Sequence, residues 1–209
     1  MGVGNHGAAR GGIESCCVNP PRILLARVEA APAPIGPVLL ASDGHSLLAL
    51  DFGAPEERLI RLLRARFGPD VTLREADDPQ GFASAVRAYF AGDLAALDRM
   101  PADGGGTLFQ RRVWAALREI PAGQTRSYGE IASRLGIPGA ARAVGAANGR
   151  NPVNLVVPCH RVVGSSGDLT GYGGGIERKR WLLAHERGAV TAANPRQAVL
   201  PLPVPVAVY

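Results

Sequence analysis

Residues 127–150 read SYGEIASRLGIPGAARAVGAANGR and contain the start and stop signals of two short helices. Ser127 and Glu130 have the spacing of a capping box, in which each side chain bonds the backbone of the other at a helix start. Gly136 suits the end of that helix, because glycine readily adopts the left-handed conformation that closes helices. A Pro-Gly pair then separates it from a second short helix over residues 140–150. Two short helices joined by such a turn predict a helix-turn-helix.

The second of these helices has few side chains that can read DNA bases. Seven of the ten residues from 139 to 148 are glycine or alanine, and only Arg142 and Asn148 reach far enough to contact base edges. Sequence-specific readout in the major groove needs longer hydrogen-bonding side chains. A small-residue helix instead fits close against a narrow surface such as the minor groove, with Arg142 placed to enter a base stack. The alternative is a small-residue helix packed tightly inside the protein.

Upstream of this motif the chain alternates strand and helix patterns. Apolar side chains share one helical face over residues 108–120, and the glycine-rich stretch 98–107 before it is expected to be a linker. Short apolar runs separated by turn signals predict an antiparallel meander followed by helices. The elements predicted there are strands at 23–28, 38–41 and 47–52, a helix over 55–68 opened by Pro55 and stopped by Gly68, a strand at 71–74 and a helix over 81–91.

These patterns predict an α+β fold. We expect an N-terminal domain of antiparallel sheet plus helix over residues 23–97, and a mainly helical C-terminal domain, with the helix-turn-helix and an active-site cysteine, over residues 108–187. Residues 1–22, rich in glycine and small or polar residues, are expected to be a flexible extension. Residues 188–209, where prolines interrupt valine and alanine, are expected to form an extended or flexible tail.

A cysteine follows the second helix at the end of an apolar run, in NLVVPCHRVVG at residues 154–164. The run predicts a buried strand that ends at Pro158, so that Cys159 is delivered at a strand terminus. A free thiol has a pKa of about 8.5, so a nucleophilic role requires a base or a positive field, which His160 and Arg161 are placed to supply. In extended backbone neighbouring side chains point to opposite faces, so His160 needs a local turn or one intervening water to reach the thiol.

A third group is then expected to orient the histidine. His185 and Glu186, at the end of the helical run ERKRWLLAHE, are both candidates. The alternative for Cys159 is an inert thiol in the core, which is the ordinary place for an isolated cysteine.

Charge and cysteine content suggest the partner and the compartment. The chain of 209 residues has a formal net charge of +5, and the balance is +6 over residues 101–187 against −2 over residues 1–100. A basic half favours a nucleic-acid partner, although the basic residues are nearly all arginine and genome composition is an alternative explanation. The three cysteines form no disulfide framework, and no export signal or apolar segment of about 18 residues is present. A cytoplasmic protein with free thiols is expected.

Four short motifs along the chain match those of a known protein family. The segments SYGEIA, AARAVG, PCHRV and GYGGG, in this order, resemble those of the O6-alkylguanine-DNA alkyltransferases, also called methylated-DNA–protein-cysteine methyltransferases. The likeness runs from about residue 106 to Glu186, and a weaker likeness covers residues 23–92 through APIGPVLLA and YFAG. The resemblance implies DNA repair in which Cys159 takes the alkyl group from O6 of guanine, or from O4 of thymine, and keeps it, so that each molecule reacts once.

The resemblance also implies a role for each site residue. His160 activates Cys159 through water, Glu186 orients His160, and Tyr128 helps rotate the nucleotide and gives a proton to the released guanine. Arg142 fills the vacated base stack, and Asn151 is a hinge between the DNA-binding helices and the active-site segment. The remaining DNA-binding residues are expected to be Arg126, Ala141, Gly145 and Asn148, and the guanine pocket is expected to be lined by Val162, Tyr172, Gly173 and Gly174.

Neither a metal nor an organic cofactor is implied by this chemistry. Some members of the family carry an N-terminal zinc site, but Cys16, Cys17, His6 and His45 lack a tetrahedral ligand pattern, and we expect no zinc. The expected partner is double-stranded DNA containing O6-alkylguanine, and no membrane partner is expected. The protein is expected to be a monomer, which binds DNA singly or cooperatively.

Three other functions compete with direct repair. A lesion recogniser flags damage without repairing it, but such relatives lack the reactive cysteine. An alkylation-sensing regulator would need a separate sequence-reading domain, and none is visible before Ile23. A cysteine hydrolase would need turnover and an oxyanion hole, for which the sequence gives no signal.

Overall fold

The N-terminal half of the computed structural model is a four-stranded sheet. The structure describes residues 22–29, 32, 34–53 and 56–193. The strands are β1 (Arg22–Val28), β2 (Val38–Ser42), β3 (Leu47–Phe52) and β4 (Thr72–Glu75), in the spatial order β3-β2-β1-β4. Antiparallel pairing of β1 with β2 and of β2 with β3 confirms the predicted meander. The sheet also has one parallel pair, because β4 lies beside β1.

Helix α1 (Glu57–Phe67) makes this parallel pair possible. Parallel strands need a crossover connection, usually a helix, and α1 is the connection from β3 to β4. Its buried residues Leu59 and Leu63 pack on one face of the sheet, and Gly68 ends it with a φ of 95°. The predicted amphipathic helix is therefore present, while its proposed first residue, Pro55, lies outside the described residues.

The opposite face of the sheet packs on the rest of the protein. All five residues of β2 are buried, as expected for a strand covered on both faces. Helix α2 (Phe82–Phe90), within the predicted range 81–91, covers part of that face through Phe82 and Val86. The same apolar cluster continues into the C-terminal half, where Trp114, Val144 and Leu182 belong to it. The sheet and the helical half thus share a core, which fixes the site against both.

The C-terminal half is mainly helical, as predicted. Its elements are α3 (Leu108–Arg118), β5 (Arg126–Ser127), α4 (Tyr128–Arg134), α5 (Ala141–Gly149), β6 (Val162–Val163) and α6 (Ile176–Ala193). Helix α4 begins with the capping box that the sequence predicts, formed by Ser127 and Glu130. A second capping box, formed by Thr107 and Gln110, opens α3. Helices α4 and α5 pack together as a helix-turn-helix.

The strand predicted before the cysteine is wrong. Residues 153–157 are buried but form turns, with a single bridge from Val153 to Leu50 of β3. Asparagine side chains that bond nearby backbone compete with strand pairing. Here the side-chain oxygen of Asn151 accepts from the Val153 amide, and Leu155 adopts a φ of 67°, which no strand accommodates. Cys159 consequently starts a short 3₁₀ turn, Cys159–Arg161, instead of ending a strand.

The structure can be compared with the predicted domain limits at the expected C-terminal tail and at the expected linker. Helix α6 continues to Ala193, so the first residues of the expected tail are helical, in keeping with the high helix propensity of alanine. The expected linker runs beside β3, where the Leu47 amide donates to the Pro101 carbonyl over 2.9 Å. Residues 1–21 and 194–209 lie outside the described residues, and the division into domains stays a prediction. None of the helices in the described ranges has the length and apolarity to cross a membrane.

Candidate active site

Cys159 lies at the centre of a buried polar cluster. Its side chain belongs to the apolar core, with the residue 3% exposed. The Asn151 Nδ2 donates to Cys159 Sγ over 3.2 Å, and Sγ donates to Asn154 Oδ1 over 3.2 Å. Burial raises the pKa of the thiol, while the hydrogen bond from Asn151 and the charge of Lys179 act in the opposite direction. The free protein therefore holds a protonated thiol that needs a base before it can attack.

A local turn is present at Cys159, as one of the two predicted routes to His160 requires, but no hydrogen bond within the described ranges joins the His160 ring to Cys159 Sγ. His160 follows Cys159 in the 3₁₀ turn and is completely buried. Its Nε2 lies 2.9 Å from Glu186 Oε1, and among the described residues Nδ1 has no hydrogen-bond partner. Burial lowers the pKa of His160, although Glu186 acts to raise it. A neutral ring that donates from Nε2 to Glu186 keeps the Nδ1 lone pair available to accept a proton.

Both carboxylate oxygens of Glu186 accept several hydrogen bonds. Arg161 donates to the carboxylate from Nε and Nη2, the Tyr89 hydroxyl donates to Oε1 over 2.8 Å, and the Gly123 amide donates to Oε2 over 3.0 Å. Burial acts to raise the pKa of Glu186, but His160 and Arg161 outweigh it and hold the pKa well below its usual range. The carboxylate is therefore a fixed negative charge behind the histidine.

Of the two candidates for the third group, the structure places only Glu186 against His160. The ring of His185 stacks on Trp181 with centroids 4.8 Å apart, and its Nε2 lies 2.9 Å from the Tyr89 carbonyl oxygen. The reason is helical spacing, because adjacent residues of α6 point in directions about 100° apart.

The positive field at the thiol comes from a residue that the sequence argument missed. Arg161, the expected source, turns away from the thiol to Glu186 and to the Ile120 carbonyl. Lys179 of α6 is instead completely buried, and its Nζ donates to the carbonyls of Val162 and Thr170 over 2.5 and 2.9 Å. Burial lowers the pKa of Lys179 to about 8. In the run ERKR, Glu177 and Arg180 are exposed and Arg178 is half-buried, so position in the run does not identify the buried residue. The residue type is the available signal, because Lys179 is the only lysine in a sequence whose other basic residues are arginine.

The helix-turn-helix is tied to the cysteine through a short parallel strand pair. Arg126 of β5 pairs with Val162 of β6, which directly follows the turn that holds Cys159. Tyr128, the first residue of α4, is half-buried, and its hydroxyl accepts from Thr170 over 3.3 Å. A Cβ atom at Gly145 of α5 would lie 3.6 Å from the Tyr128 ring. The start of α4 is thus held beside both α5 and the cysteine turn.

Helix α5 presents a flat, small-residue face with one long cation. Arg142, Ala143 and Ala146 are exposed, and Ala141 and Gly145 are half-buried beside them. The inner face packs on α3, where the Trp114 indole donates to the Ala147 carbonyl over 2.9 Å. This arrangement differs from the fully packed alternative, because only one face of the helix is buried.

Asn148 does not reach outward as its position in the sequence suggests. The residue is 4% exposed, and its Nδ2 lies 3.5 Å from the Cys159 carbonyl oxygen. It belongs to the inner face of α5 together with Ala147 and Val144. An amide held in this way contacts the cysteine turn and cannot reach a base edge in a groove.

Of the expected pocket residues, Val162 directly follows the cysteine turn, and Tyr172, Gly173 and Gly174 lie in the segment before α6, against the N-terminal half. The Tyr172 hydroxyl is buried although the ring is partly exposed, and the ring lies 6.3 Å from that of Phe52 in β3. A Cβ at Gly174 would come within 2.8 Å of the Tyr172 ring, so this position requires glycine. The Gly173 carbonyl accepts from Arg58 of α1 over 3.0 Å. Val162 is completely buried, and its amide closes the cysteine turn on the Cys159 carbonyl.

The described residues hold no cluster of three or more metal-ligating side chains. Of the zinc candidates, only His45 lies within the described residues, in an exposed turn between β2 and β3. His6, Cys16 and Cys17 lie outside them.

Comparison with known proteins matches both halves of the chain. A family model described as the DNA binding domain of 6-O-methylguanine DNA methyltransferase matches residues 108–188, and one described as the ribonuclease-like domain of the same protein matches residues 27–103. A methylated-DNA–protein-cysteine methyltransferase of Mycobacterium tuberculosis is 52% identical over 163 residues, which are 77% of this chain and 92% of the relative. The protein of that name from Shigella flexneri is 48% identical over 160 residues, covering 76% and 94%.

Solved structures agree in fold. The crystal structure of Mycobacterium tuberculosis OGT in complex with DNA has a TM-score of 0.63 at 44% identity, covering 80% of this chain and 94% of that one. A structure of O6-methylguanine-DNA methyltransferase from the archaeon Pyrococcus kodakaraensis has a TM-score of 0.59 at 26% identity, covering 78% and 98%. Both halves of the chain match the family models, and about half of the aligned residues are identical to those of the Mycobacterium tuberculosis and Shigella flexneri proteins, so the chain belongs to the methylated-DNA–protein-cysteine methyltransferase family.

Proposed function

We propose that this protein repairs DNA directly by moving an alkyl group from O6 of guanine to Sγ of Cys159. The observation that carries the proposal is a buried cysteine followed in the same turn by a completely buried histidine, whose Nε2 lies 2.9 Å from Glu186 Oε1. A short strand pair joins this turn to the start of the helix-turn-helix. A core thiol with no chemical role would need neither a completely buried histidine nor a fully bonded carboxylate behind it.

The reaction is a displacement at the alkyl carbon. The thiol proton passes to Nδ1 of His160 through one water, the Sγ–carbon bond forms, and the bond from that carbon to O6 breaks. Tyr128 gives a proton to the departing guanine and recovers one from solvent, and His160 afterwards releases the thiol proton to solvent, so that both groups return to their starting states. Glu186 stabilises the histidinium that forms, and Lys179 favours the thiolate. The product is a thioether, which none of these groups can cleave, so each molecule reacts once.

DNA binding uses the small-residue face of α5. Ala141 and Gly145 let the backbone of α5 approach the minor groove, and Arg126 contacts the DNA backbone nearby. Binding therefore depends little on the base sequence of the DNA. Guanine O6 is inaccessible inside a duplex, and extruding the nucleotide costs a few kcal/mol, less for a lesion that pairs badly. Arg142, exposed on that face, fills the vacated place in the stack.

The extruded base enters a pocket beside the cysteine turn. Val162, Tyr172, Gly173 and Gly174 line it, and Asn151 acts as the hinge between α5 and Cys159. The lesion is O6-alkylguanine, with O4-alkylthymine a second substrate of the same chemistry. We expect a monomer that works in a reducing cytoplasmic compartment, because the reaction consumes a free thiol.

Mass spectrometry of the intact protein after exposure to O6-methylguanine duplex DNA tests this function. One methyl group per molecule is expected, on the peptide that contains Cys159, and Cys159→Ser should take up none. The matched control is the double variant Cys16→Ser, Cys17→Ser, which should react like the wild type. Lesion binding without transfer would favour a lesion recogniser, and repeated turnover or label elsewhere would contradict the mechanism.

A further inference from the structure

Asn154, a residue outside the predicted site, joins the reactive thiol to the N-terminal sheet. Its side-chain oxygen Oδ1 accepts from Cys159 Sγ over 3.2 Å. Its Nδ2 donates to the carbonyl of Leu50, in β3, over 3.0 Å. The side chain is buried, with the residue 4% exposed, so water does not compete with these bonds.

The Leu50 carbonyl fixes which way round this amide lies. A carbonyl oxygen can only accept, so Nδ2 must face Leu50 and Oδ1 must face the sulfur. An amide oxygen also can only accept. Its contact with Cys159 is therefore attractive while the sulfur carries its proton and repulsive once the sulfur is a thiolate. In a buried site this difference is larger than it would be in water.

Asn151 presents the opposite polarity to the same sulfur. Its Oδ1 accepts from the Val153 amide, which turns Nδ2 towards the Val157 carbonyl and Cys159 Sγ. Cys159 thus lies between an amide that donates to it and an amide that accepts from it. Asn151 therefore favours the thiolate form of Cys159, and Asn154 favours the protonated thiol.

We propose that Asn154 is a positioning residue that holds Cys159 in its protonated form until a substrate base is in place. The inference rests on the proposed function, in which the thiol is used only once. Stray electrophiles and oxidants attack thiolates much faster than thiols. An acceptor aimed at the sulfur therefore protects a group that the protein cannot regenerate, while His160 takes the proton when transfer begins.

Several charged or titratable groups near Cys159 are unchanged in sequence when Asn154 is replaced. Lys179 on α6 and Tyr172 in the pocket loop act on the thiol directly, and His160 follows it in the turn. Glu186 on α6 and Arg161 act on His160, and Asp51 on β3 acts on Tyr172. A change in the titration of Cys159 on replacing Asn154 alone therefore reports on the amide itself.

The test follows the alkylation of Cys159 by iodoacetamide between pH 6 and pH 10, with the labelled peptide quantified by mass spectrometry. Asn154→Leu keeps a similar shape without an acceptor. We expect the inflection of its rate profile at a lower pH than in the wild type, and a rate at pH 7 about threefold to tenfold higher, as the loss of one hydrogen bond predicts. Asn154→Ala provides the same comparison if the leucine variant does not fold, as judged by circular dichroism.

The matched control is Asn148→Leu, which removes another buried amide beside the turn that contacts the Cys159 carbonyl but not the sulfur. Its inflection should stay where the wild type has it. An unchanged inflection in both Asn154 variants, with rates altered equally at every pH, would overturn the inference and leave Asn154 a purely structural residue. Labelling needs no DNA, so this outcome is independent of whether Cys159 accepts methyl groups from guanine.

Discussion

At the scale of single residues, Glu186 determines how the site responds to acid. Folding lowers the pKa of its carboxyl, so the stability it contributes is present above the ordinary glutamate pKa and is lost as pH falls below it. Folding also lowers the pKa of His160, because burial favours the neutral ring. The unfolded chain then takes up this proton first, and stability falls with pH from near the ordinary histidine value of about 6.5.

We expect the melting temperature to fall in two stages between pH 8 and pH 3, first with His160 and then with Glu186. Glu186→Gln should have a smaller second stage, with the remainder due to Asp78, Asp103 and Glu130, whose pKa values are also lowered. It should lose about 3 to 5 kcal/mol of stability at neutral pH, because it leaves Arg161 without its buried partner. Its transfer rate should fall about a hundredfold or more, as removal of support for a general base predicts. Calorimetric melts and single-turnover transfer assays measure the two effects.

A matched control lies on the same helix. Glu177 is exposed and pairs with Arg180 one turn later in α6. Exposed ion pairs contribute little, so Glu177→Gln should keep the wild-type melting profile and transfer rate. Similar losses in both variants would mean that Glu186 acts only through the helix.

At the scale of elements, α5 is expected to separate recognition of the duplex from chemistry. Arg142→Ala removes the long cation from its exposed face and leaves the buried cluster around Cys159 intact. Transfer from duplex DNA should slow about tenfold to a hundredfold, since a stacking side chain is worth about 1 to 3 kcal/mol. Transfer from a free O6-alkylguanine base should change little. Single-turnover rates on both substrates make the comparison.

Arg150→Ala is the control for this prediction. Arg150 is also exposed, directly after α5, and it donates to the Ala146 carbonyl of that helix. Its removal should weaken DNA binding through lost charge without selectively slowing transfer. Equal slowing of Arg142→Ala on duplex and free base would remove the stack-filling role.

At the scale of the whole molecule, the N-terminal sheet and α2 contribute contacts to the buried polar cluster around Cys159. The Tyr89 hydroxyl of α2 donates to Glu186, a contact between residues 97 positions apart in the chain. Tyr89→Phe should destabilise the protein by about 1.5 to 3 kcal/mol, the usual worth of a hydrogen bond to a charged group. It should also slow transfer several-fold, in both duplex and free-base assays, because the carboxylate behind His160 loses a donor.

Ser84→Ala removes a hydroxyl from the same helix and provides the control. Ser84 is exposed, and its hydroxyl donates to Asp78 and makes no hydrogen bond to Glu186. The variant should match the wild type in transfer rate. An unaltered transfer rate in Tyr89→Phe would restrict α2 to packing.

Secondary-structure elements that depend on residues close in the sequence formed as predicted, and the strand before Cys159 did not. The capping box of α4, the glycine that ends α1 and the apolar face of α3 all arise from residues within a few positions, and each element formed where predicted. The strand before Cys159 was predicted wrongly because its apolar residues are buried without pairing, and periodicity cannot separate these cases. The local bond from the Val153 amide to Asn151 and the positive φ of Leu155 take the segment out of the strand conformation.

The features that could be established from the amino-acid sequence are therefore local: the helix-turn-helix, the meander, and the family motifs, one of which contains Cys159 and His160. The tertiary structure alone decided which groups meet. Asn154 contacts Leu50 across 104 positions, Tyr89 contacts Glu186 across 97, and Lys179 is buried against the cysteine turn although its neighbours Arg178 and Arg180 are more exposed. The physical reason is that hydrogen bonds and charges are satisfied by whatever the packed core brings near, and that proximity is set by the whole fold and not by neighbours in the chain.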